Sequence, residues 1–247
     1  MGEVLRHVVD GLDIVIPVKA SPDNECVNYA LASIARFYPG RRVFLIGGQP
    51  SLDSHELNVT CISTRQGDNR YVNTDLAMRV ALDNDDVNDP FIWSNDDIYW
   101  MRPADPIRWA IGKLEDVRGG GIFRRRKRAT GELLASLSLP TFDYETHVPI
   151  AVDKRHMSEA LDIGGDKRSV YGNLTGLPDI VAHDVKLRNP QNRPGDWPWI
   201  STQGSPAQWP GLLERLSAPR DHAADNEHRE NDDQNAGHGS TLSTSRR

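Results

Sequence analysis

The stretch FIWSNDDIYW, residues 91–100, places the polar side chains of Asn95, Asp96 and Asp97, preceded by Ser94, between two apolar triplets. A short run of aromatic and β-branched residues bounded by polar residues is typical of a buried strand. A carboxylate is costly to remove from water unless a positive charge or hydrogen-bond donors meet it. The stretch therefore predicts a buried strand that ends at a site where two carboxylates face a cation.

The chain before this strand alternates between strand and helix patterns. Short apolar runs predict strands at residues 13–18, 42–48 and 57–63. Apolar residues at three- and four-residue spacing predict helices at residues 27–37 and 73–82. Strands that alternate with helices predict an α/β fold with a mainly parallel sheet covered by helices. Ligands bind such sheets at the carboxyl ends of the strands, where residues 95–97 fall.

Beyond residue 100 the pattern is less regular. Asp105 followed by Pro106 predicts a helix start, with Ile107, Ala110, Ile111 and Leu114 on its buried face. We predict a mobile loop over 118–132, a strand over 147–152, a helix capped by Asp153, irregular chain over 190–210 and a last amphipathic helix over 209–216. Residues 217–247 are polar and nearly without large apolar side chains, which predicts a disordered tail after a single domain of residues 1–216.

Length and composition limit the classes of protein to consider. A chain of 247 residues suits one sizeable domain, and its net charge of −6 argues against a stable nucleic-acid partner. Cys26 and Cys61 lack the spacing of a zinc site or a disulfide framework. The N-terminus does not resemble a signal peptide and no apolar run has the length of a transmembrane segment, so we expect a soluble, cytoplasmic protein.

The residues Asn95, Asp96 and Asp97 offer the hard oxygen ligands that suit Mn²⁺ or Mg²⁺. Such an ion can bridge the phosphates of a substrate and, as a Lewis acid, stabilise the charge that grows on a nucleoside-diphosphate leaving group. The pattern alone allows a second interpretation with equal weight, in which the two aspartates cap the next turn.

Several segments together resemble the GT-A glycosyltransferase fold, with NDD at the position of its DXD-type motif: DIVIPVK, DNECVNYALASIARFYPG, RVFLIGGQP, NRYVNTDLAMRVAL and FIWSNDDIYWMRP. More narrowly, DNE, GGQP and F-x-x-x-NDD are similar to the Stealth family of bacterial sugar-phosphate transferases and to related short phage glycosyltransferases. The resemblance covers residues 12–101 and, loosely, 142–171. The segment DIVIPVKASPD differs from the first block of Stealth proteins, which favours an ordinary nucleotide-sugar donor.

The resemblance implies roles for individual residues. It places Pro17, Val18, Lys19 and Asn73 near the donor nucleotide, Asp23, Asn24 and Asn28 at the border of the same cleft, Asn95 or Asp96 near the ribose or sugar, and Asp97, with Asp96, on the metal. His147, in a block that resembles a later part of those proteins, is a candidate for a further metal or diphosphate contact, since imidazole binds Mn²⁺. A strand residue bonded to backbone is the alternative for His147, and His183 is a second candidate ligand.

Two further features bear on the chemistry. Asp143 and Glu145 are candidates for the general base that an inverting sugar transfer requires, although either carboxylate would also suit an exposed surface. The basic run at residues 124–128 follows three glycines, which suits a loop that folds over phosphates. The alternative is a solvated run, or one that contacts an anionic acceptor, nucleic acid or a membrane surface.

The sequence thus predicts a metal-dependent glycosyltransferase that moves a sugar from a nucleotide-diphosphate-sugar donor to a hydroxyl group of a glycan or protein acceptor. One alternative is a Stealth-like sugar-1-phosphate transferase. Another is a non-catalytic protein that binds carbohydrate or nucleic acid through the tryptophans near Trp197 and the basic run.

Overall fold

The computed structural model describes residues 11–21, 24–52, 57–104, 106, 110–117, 120–176, 184–189 and 197–217. Strands and helices within these ranges are β1 (Ile14–Val18), α1 (Glu25–Phe37), β2 (Arg42–Gly47), β3 (Asn58–Ser63), α2 (Arg70–Asp83), β4 (Phe91–Trp93), β5 (Ile98–Trp100), α3 (Gly121–Ser136), β6 (Ile150–Val152), α4 (Lys154–Ile163), α5 (Lys167–Leu174), β7 (Lys186–Leu187), β8 (Trp199–Thr202) and α6 (Pro210–Ser217). The strands and helices predicted up to Trp93 are confirmed.

The central sheet has the strand order β3-β2-β1-β4-β6. Strands β1 to β4 run parallel, and β6 pairs antiparallel with β4. The chain therefore moves outward from β1 to β3 and then returns past β1 to form β4. This reversal creates a topological switch point between β1 and β4, and in open α/β sheets the ligand crevice lies outside the carboxyl ends of the strands at such a point.

Both faces of the strands β1, β2 and β4 are covered, which explains their nearly continuous apolar sequence. Ile14, Ile16 and Val18 of β1 pack into one core cluster together with residues of α1. Val15 of β1 packs into the opposite cluster with residues of α2, α4 and α5, such as Met157. The predicted mainly parallel sheet covered by helices is confirmed.

A second sheet follows the acidic turn of residues 95–97 and has the order β5-β8-β7. The rings of Trp100 in β5 and Trp199 in β8 meet edge to face with centroids 5.7 Å apart. The prediction of irregular chain over residues 190–210 is wrong for β8, because its aromatic and β-branched residues pair with a strand on each side.

The helix predicted from Asp105 is wrong for its described part. The backbone N–H groups of Ile111 and Leu114 donate to carbonyls of the segment 141–143 at 2.9 and 2.8 Å. Amide groups used in this way are not available for helical bonds, so tertiary pairing overrides the local capping signal. Asp105 and Ile107 themselves lie outside the described residues.

The predicted mobile loop over the basic run is also wrong, because residues 121–136 form helix α3. Arginine, lysine, alanine and leucine favour a helix strongly, and the glycines before the run only mark its beginning. Lys127, Thr130 and Leu134 share the buried face of α3. The run is therefore split between a buried face and solvent.

Side-chain caps explain where two later helices begin. Asp153 caps α4 as predicted, since its carboxylate accepts a hydrogen bond from the N–H of His156. Asp166 caps α5, which was not predicted, by accepting from the N–H of Ser169 at 3.0 Å. Among the described residues, no helix has both the length and the apolarity needed to cross a membrane. Beyond Ser217 the predicted tail lies outside the described residues and stays a prediction.

Candidate active-site cleft

A cleft of about 660 Å³ lies at the carboxyl ends of β1 and β4, at the switch point of the sheet. This volume suits a small-molecule ligand. Most of the residues proposed from the sequence line it: Pro17, Val18, Lys19, Asn73, Asn95, Asp96, Asp97, Asp143, Glu145 and His147. The fold thus brings together side chains that are up to 130 positions apart along the chain, since the first is residue 17 and the last is residue 147.

Two other proposed residues take different positions. Asn24 reaches the cleft indirectly, by donating a hydrogen bond to Asp96. Asn28 donates to the carbonyl of Ser51 at 3.1 Å and does not belong to the cleft lining of the described structure. Asp23 and His183 lie outside the described residues.

Asp96 is held by helix α1. The amide Nδ2 of Asn24, at the N-terminal end of that helix, donates to Asp96 Oδ2 at 2.7 Å. Burial raises the pKa of Asp96 to about 6, the hydrogen bond from Asn24 opposes the shift, and the neighbouring negative charge of Asp97 adds to it. The ionised form of Asp96 is therefore disfavoured relative to that of an exposed aspartate.

Asp97 is paired with a lysine that the sequence did not point to. Its Oδ2 accepts from Lys186 Nζ at 2.7 Å, and only 22% of the Asp97 side chain and 17% of the Lys186 side chain are exposed. Its Oδ1 is buried and has no hydrogen-bond partner among the described residues. The positive charge that the buried Asp97 carboxylate requires is thus supplied by the side chain of Lys186.

The expected Mn²⁺ or Mg²⁺ can be tested against these contacts. Among the described residues, no group of three or more His, Cys, Asp and Glu side chains is arranged to hold a metal ion. Asp96 is engaged by Asn24, Asp97 by Lys186, and His147 Nδ1 lies 2.8 Å from Asp184 Oδ1. A divalent ion at Asp97 would compete with the Lys186 ammonium group, so the described arrangement does not fit a metal held by the protein alone.

The floor of the cleft is a buried ionic network around Lys127. The Lys127 ammonium lies 2.8 Å from Asp143 Oδ1 and 3.0 Å from Asp166 Oδ2, and 1% of the side chain is exposed. Asp143 Oδ1 also accepts from the N–H of Glu145. The network joins Asp143 and Glu145 to α3 through Lys127, and Lys127 in turn to Asp166 at the start of α5.

Glu145 and Asp166 form a pair of carboxyl groups in this network. Burial, reinforced by the charge of Asp166, raises the pKa of Glu145 above its ordinary value. Burial also opposes ionisation of Asp166, but the charge of Lys127 and a hydrogen bond from Glu145 hold the pKa of Asp166 well below its usual range. These opposite shifts favour protonation of Glu145 before Asp166, and Glu145 lines the cleft.

Sequence reasoning did not single out several charged residues of the cleft, among them Lys127, Arg168 and Lys186. Lys127 was hidden within the basic run, and only its position on the buried face of α3 separates it from its neighbours. Arg168 lies in helix α5, and the local sequence signal for this helix is its capping residue, Asp166. No local pattern marks Lys186.

Comparisons with known proteins find weak similarity to solved glycosyltransferase structures. No family model matches this sequence, and a search of curated proteins finds no match. The apo form of the glycosyltransferase GlyE from Streptococcus pneumoniae TIGR4 is similar over 89% of this chain and 64% of its own, with 8% identity and a TM-score of 0.45. A second GlyE structure is similar over 64% of this chain and 42% of its own, with 8% identity and a TM-score of 0.37.

This chain spans less than two thirds of either GlyE chain. The topology and the cleft by themselves define the class: an α/β protein with a charged ligand cleft at the switch point of a mainly parallel sheet.

Proposed function

We propose that the protein transfers a sugar from a nucleotide-diphosphate-sugar donor to a hydroxyl acceptor in this cleft. The observation that carries the proposal is the position of Asn95, Asp96 and Asp97 directly after β4, beside the end of β1 and facing the cleft. Polar groups at this point of an α/β sheet are placed to meet a nucleotide. The GT-A-like sequence motifs lead to the same location.

The charges of the cleft support a substrate with phosphates. Its lining includes Lys19, Lys186 and Arg188 on the side of the acidic turn, and further basic residues on α2 and α3. The lining as a whole holds nine Lys and Arg against seven Asp and Glu side chains, so the cleft has a slight excess of positive charge in a protein whose net charge is −6. The Mn²⁺ or Mg²⁺ expected from the sequence stays a prediction.

Glu145 suits the role of general base better than Asp143. Asp143 is 1% exposed, and its Oδ1 accepts hydrogen bonds from Lys127, Ser169 and Glu145. Glu145 lines the cleft, and its raised pKa makes its ionised form a stronger base toward an acceptor hydroxyl group. We therefore assign a positioning role to Asp143 and proton transfer to Glu145.

The experiment is a screen of nucleotide-sugars by thermal shift, followed by product analysis with a panel of hydroxyl acceptors. Ligands that prefer the folded state raise its melting temperature. We expect at least one donor to stabilise the protein and to release a nucleoside diphosphate on turnover. Release of a nucleoside monophosphate would instead show sugar-phosphate transfer, and binding without turnover would show a binding protein.

A variant then tests the assigned base. Glu145→Gln should lower kcat by about 100-fold or more, in line with the usual contribution of general-base catalysis, while the donor-induced thermal shift remains. The wild-type rate should rise with pH through the raised pKa of Glu145. Full activity in Glu145→Gln would refute the assignment.

A further inference from the structure

We propose that the cleft contains its own cation site for a diphosphate, in which Lys186 contacts the phosphates and Arg168 adds charge from beneath, in place of a divalent metal ion. The proposal rests on the proposed sugar transfer only for the identity of the substrate. The site itself is a binding site for pyrophosphate that can be measured separately.

The strand pairing of the second sheet holds Lys186 at the cleft. It pairs with Ser201 of β8, and Ser201 pairs on its other side with Ile98, the residue after Asp97. The backbone N–H of Lys186 also donates to Asp184 Oδ1 at 3.1 Å. Both ends of the lysine are therefore fixed, its backbone by β8 and Asp184 and its ammonium by Asp97.

The ammonium group has bonding capacity left for a ligand. A lysine offers three N–H donors, and the described residues take one of them, through Asp97 Oδ2 at 2.7 Å. Lys186 lines the cleft. A phosphate oxygen can thus bond to the same ammonium while Asp97 keeps it in place.

Arg168 supplies a second fixed charge. Its side chain lines the cleft and is 3% exposed, and one of its terminal nitrogens donates to the carbonyls of Thr146 and Val148. The other terminal nitrogen is buried and has no partner among the described residues. A buried guanidinium with an unsatisfied donor is costly, and an anion in the cleft above it would lower that cost.

The same two cations disfavour a divalent ion at Asp97. An added ion would share the carboxylate with an ammonium already 2.7 Å from Oδ2, and like charges at such separations repel strongly in a partly buried site. The remaining oxygen, Oδ1, is buried. Asp97 is therefore better suited to orient Lys186 than to hold a metal.

The test is calorimetric titration of the full chain with inorganic pyrophosphate, once in EDTA and once with Mg²⁺. We expect affinities within threefold of each other. Lys186→Met should weaken binding in EDTA at least tenfold, and Lys186→Arg, which keeps the charge, less than threefold. Lys154→Met is the matched control, because Lys154 is also a partly buried lysine but lies outside the cleft lining, where its ammonium donates to the carbonyl of Asn84. The Lys154→Met variant should bind pyrophosphate as the wild type does.

Asp97→Asn separates the two explanations. If Lys186 is the cation, this variant keeps or improves pyrophosphate binding in EDTA, because the asparagine oxygen can still accept from the ammonium while a repelling charge is gone. Binding that requires Mg²⁺ and disappears in Asp97→Asn overturns the proposal, as does an unchanged affinity in a folded Lys186→Met protein. Melting temperatures of all variants report whether each is folded.

Failure of this site and failure of the proposed function give different results. Metal-free binding of pyrophosphate through Lys186, without turnover of any nucleotide-sugar, supports the cation site and removes the transferase. Sugar transfer that depends on metal and is indifferent to Lys186→Met removes the cation site and keeps the transferase.

Discussion

Replacing Lys127 by methionine should destabilise the protein severely. The Lys127 ammonium lies 2.8 Å from Asp143 Oδ1 and 3.0 Å from Asp166 Oδ2, with 1% of the side chain exposed. Methionine has a similar length and fills the same space, so the change removes the charge and keeps most of the packing. Asp143 and Asp166 then lose the ammonium that they share inside the protein.

The expected loss follows from the buried geometry. Removing one partner of a buried ion pair costs about 3–5 kcal/mol, because a desolvated charge is left without its counter-ion. The free energy of unfolding of such a domain is about 5–15 kcal/mol, so the variant would lose a large part of its stability. Arg125→Met, an exposed change on the same helix, should alter stability by less than about 0.5 kcal/mol.

The loss should depend on pH in a defined direction. In the wild type the pKa of Asp166 is held below its usual range, so its stabilising contribution is present above the ordinary carboxyl pKa and disappears as the pH falls through the lowered value. Without Lys127 the carboxyl group is protonated more readily in the folded state. The difference between wild type and Lys127→Met should therefore be largest near pH 7.5 and smaller near pH 4.5.

Urea denaturation followed by circular dichroism at the two pH values measures both effects. The double variant Lys127→Met with Asp166→Asn should recover part of the loss, since it removes one of the stranded charges. This recovery also keeps the test informative if the single variant is poorly folded. A loss of less than about 1 kcal/mol at pH 7.5, or an equal loss at both pH values, would refute the reasoning.

Three further outcomes follow from the same structure. Asp96→Asn should raise the free energy of unfolding above pH 6 by about 1–2 kcal/mol, because it removes a charge that burial disfavours. Each unit by which the pKa of Asp96 is raised, to about 6, is worth about 1.4 kcal/mol, and partial exposure of the side chain reduces the effect. The gain should vanish below about pH 4, and urea titrations across this range would contradict the prediction if it persisted there. Gly172→Ala should cost about 1–3 kcal/mol or more, because a Cβ there would overlap the ring of Tyr144. Gly211→Ala, a helical glycine with open space around it, is its control in thermal melts and should not destabilise. Gly48→Ala should lower both the melting temperature and any donor affinity, because a Cβ there would lie 2.5 Å from the backbone oxygen of Lys19, the residue after β1. Thermal melts with and without donor measure both effects.

The sequence predicts the first part of the fold well because its signals there are local. The apolar runs of β1, β2 and β4 are too short and too β-branched for helices, and the apolar stripe of α1 has helical spacing. The position of residues 95–97 at a strand's carboxyl end follows from the same patterns. Most of the proposed cleft residues come together for this reason.

The incorrect predictions arise where tertiary contacts override local signals. The run Arg124–Arg128 was expected to be a loop because of its charge and the preceding glycines, yet its buried Lys127 anchors a helix through two carboxylates. Ile111 and Leu114 were expected in a helix and instead bond to a neighbouring segment. In each case the deciding partner lies elsewhere in the chain, beyond the reach of a local pattern.

By itself, the sequence determined the order of strands and helices through β4 and the location of an acidic turn at the end of a buried strand. The tertiary structure decided what that turn does, because Asp97 meets Lys186, a residue 89 positions away in the chain. Hydrophobic periodicity is written in neighbouring residues, whereas the pairing of two buried charges depends on which distant segments the sheet register brings together.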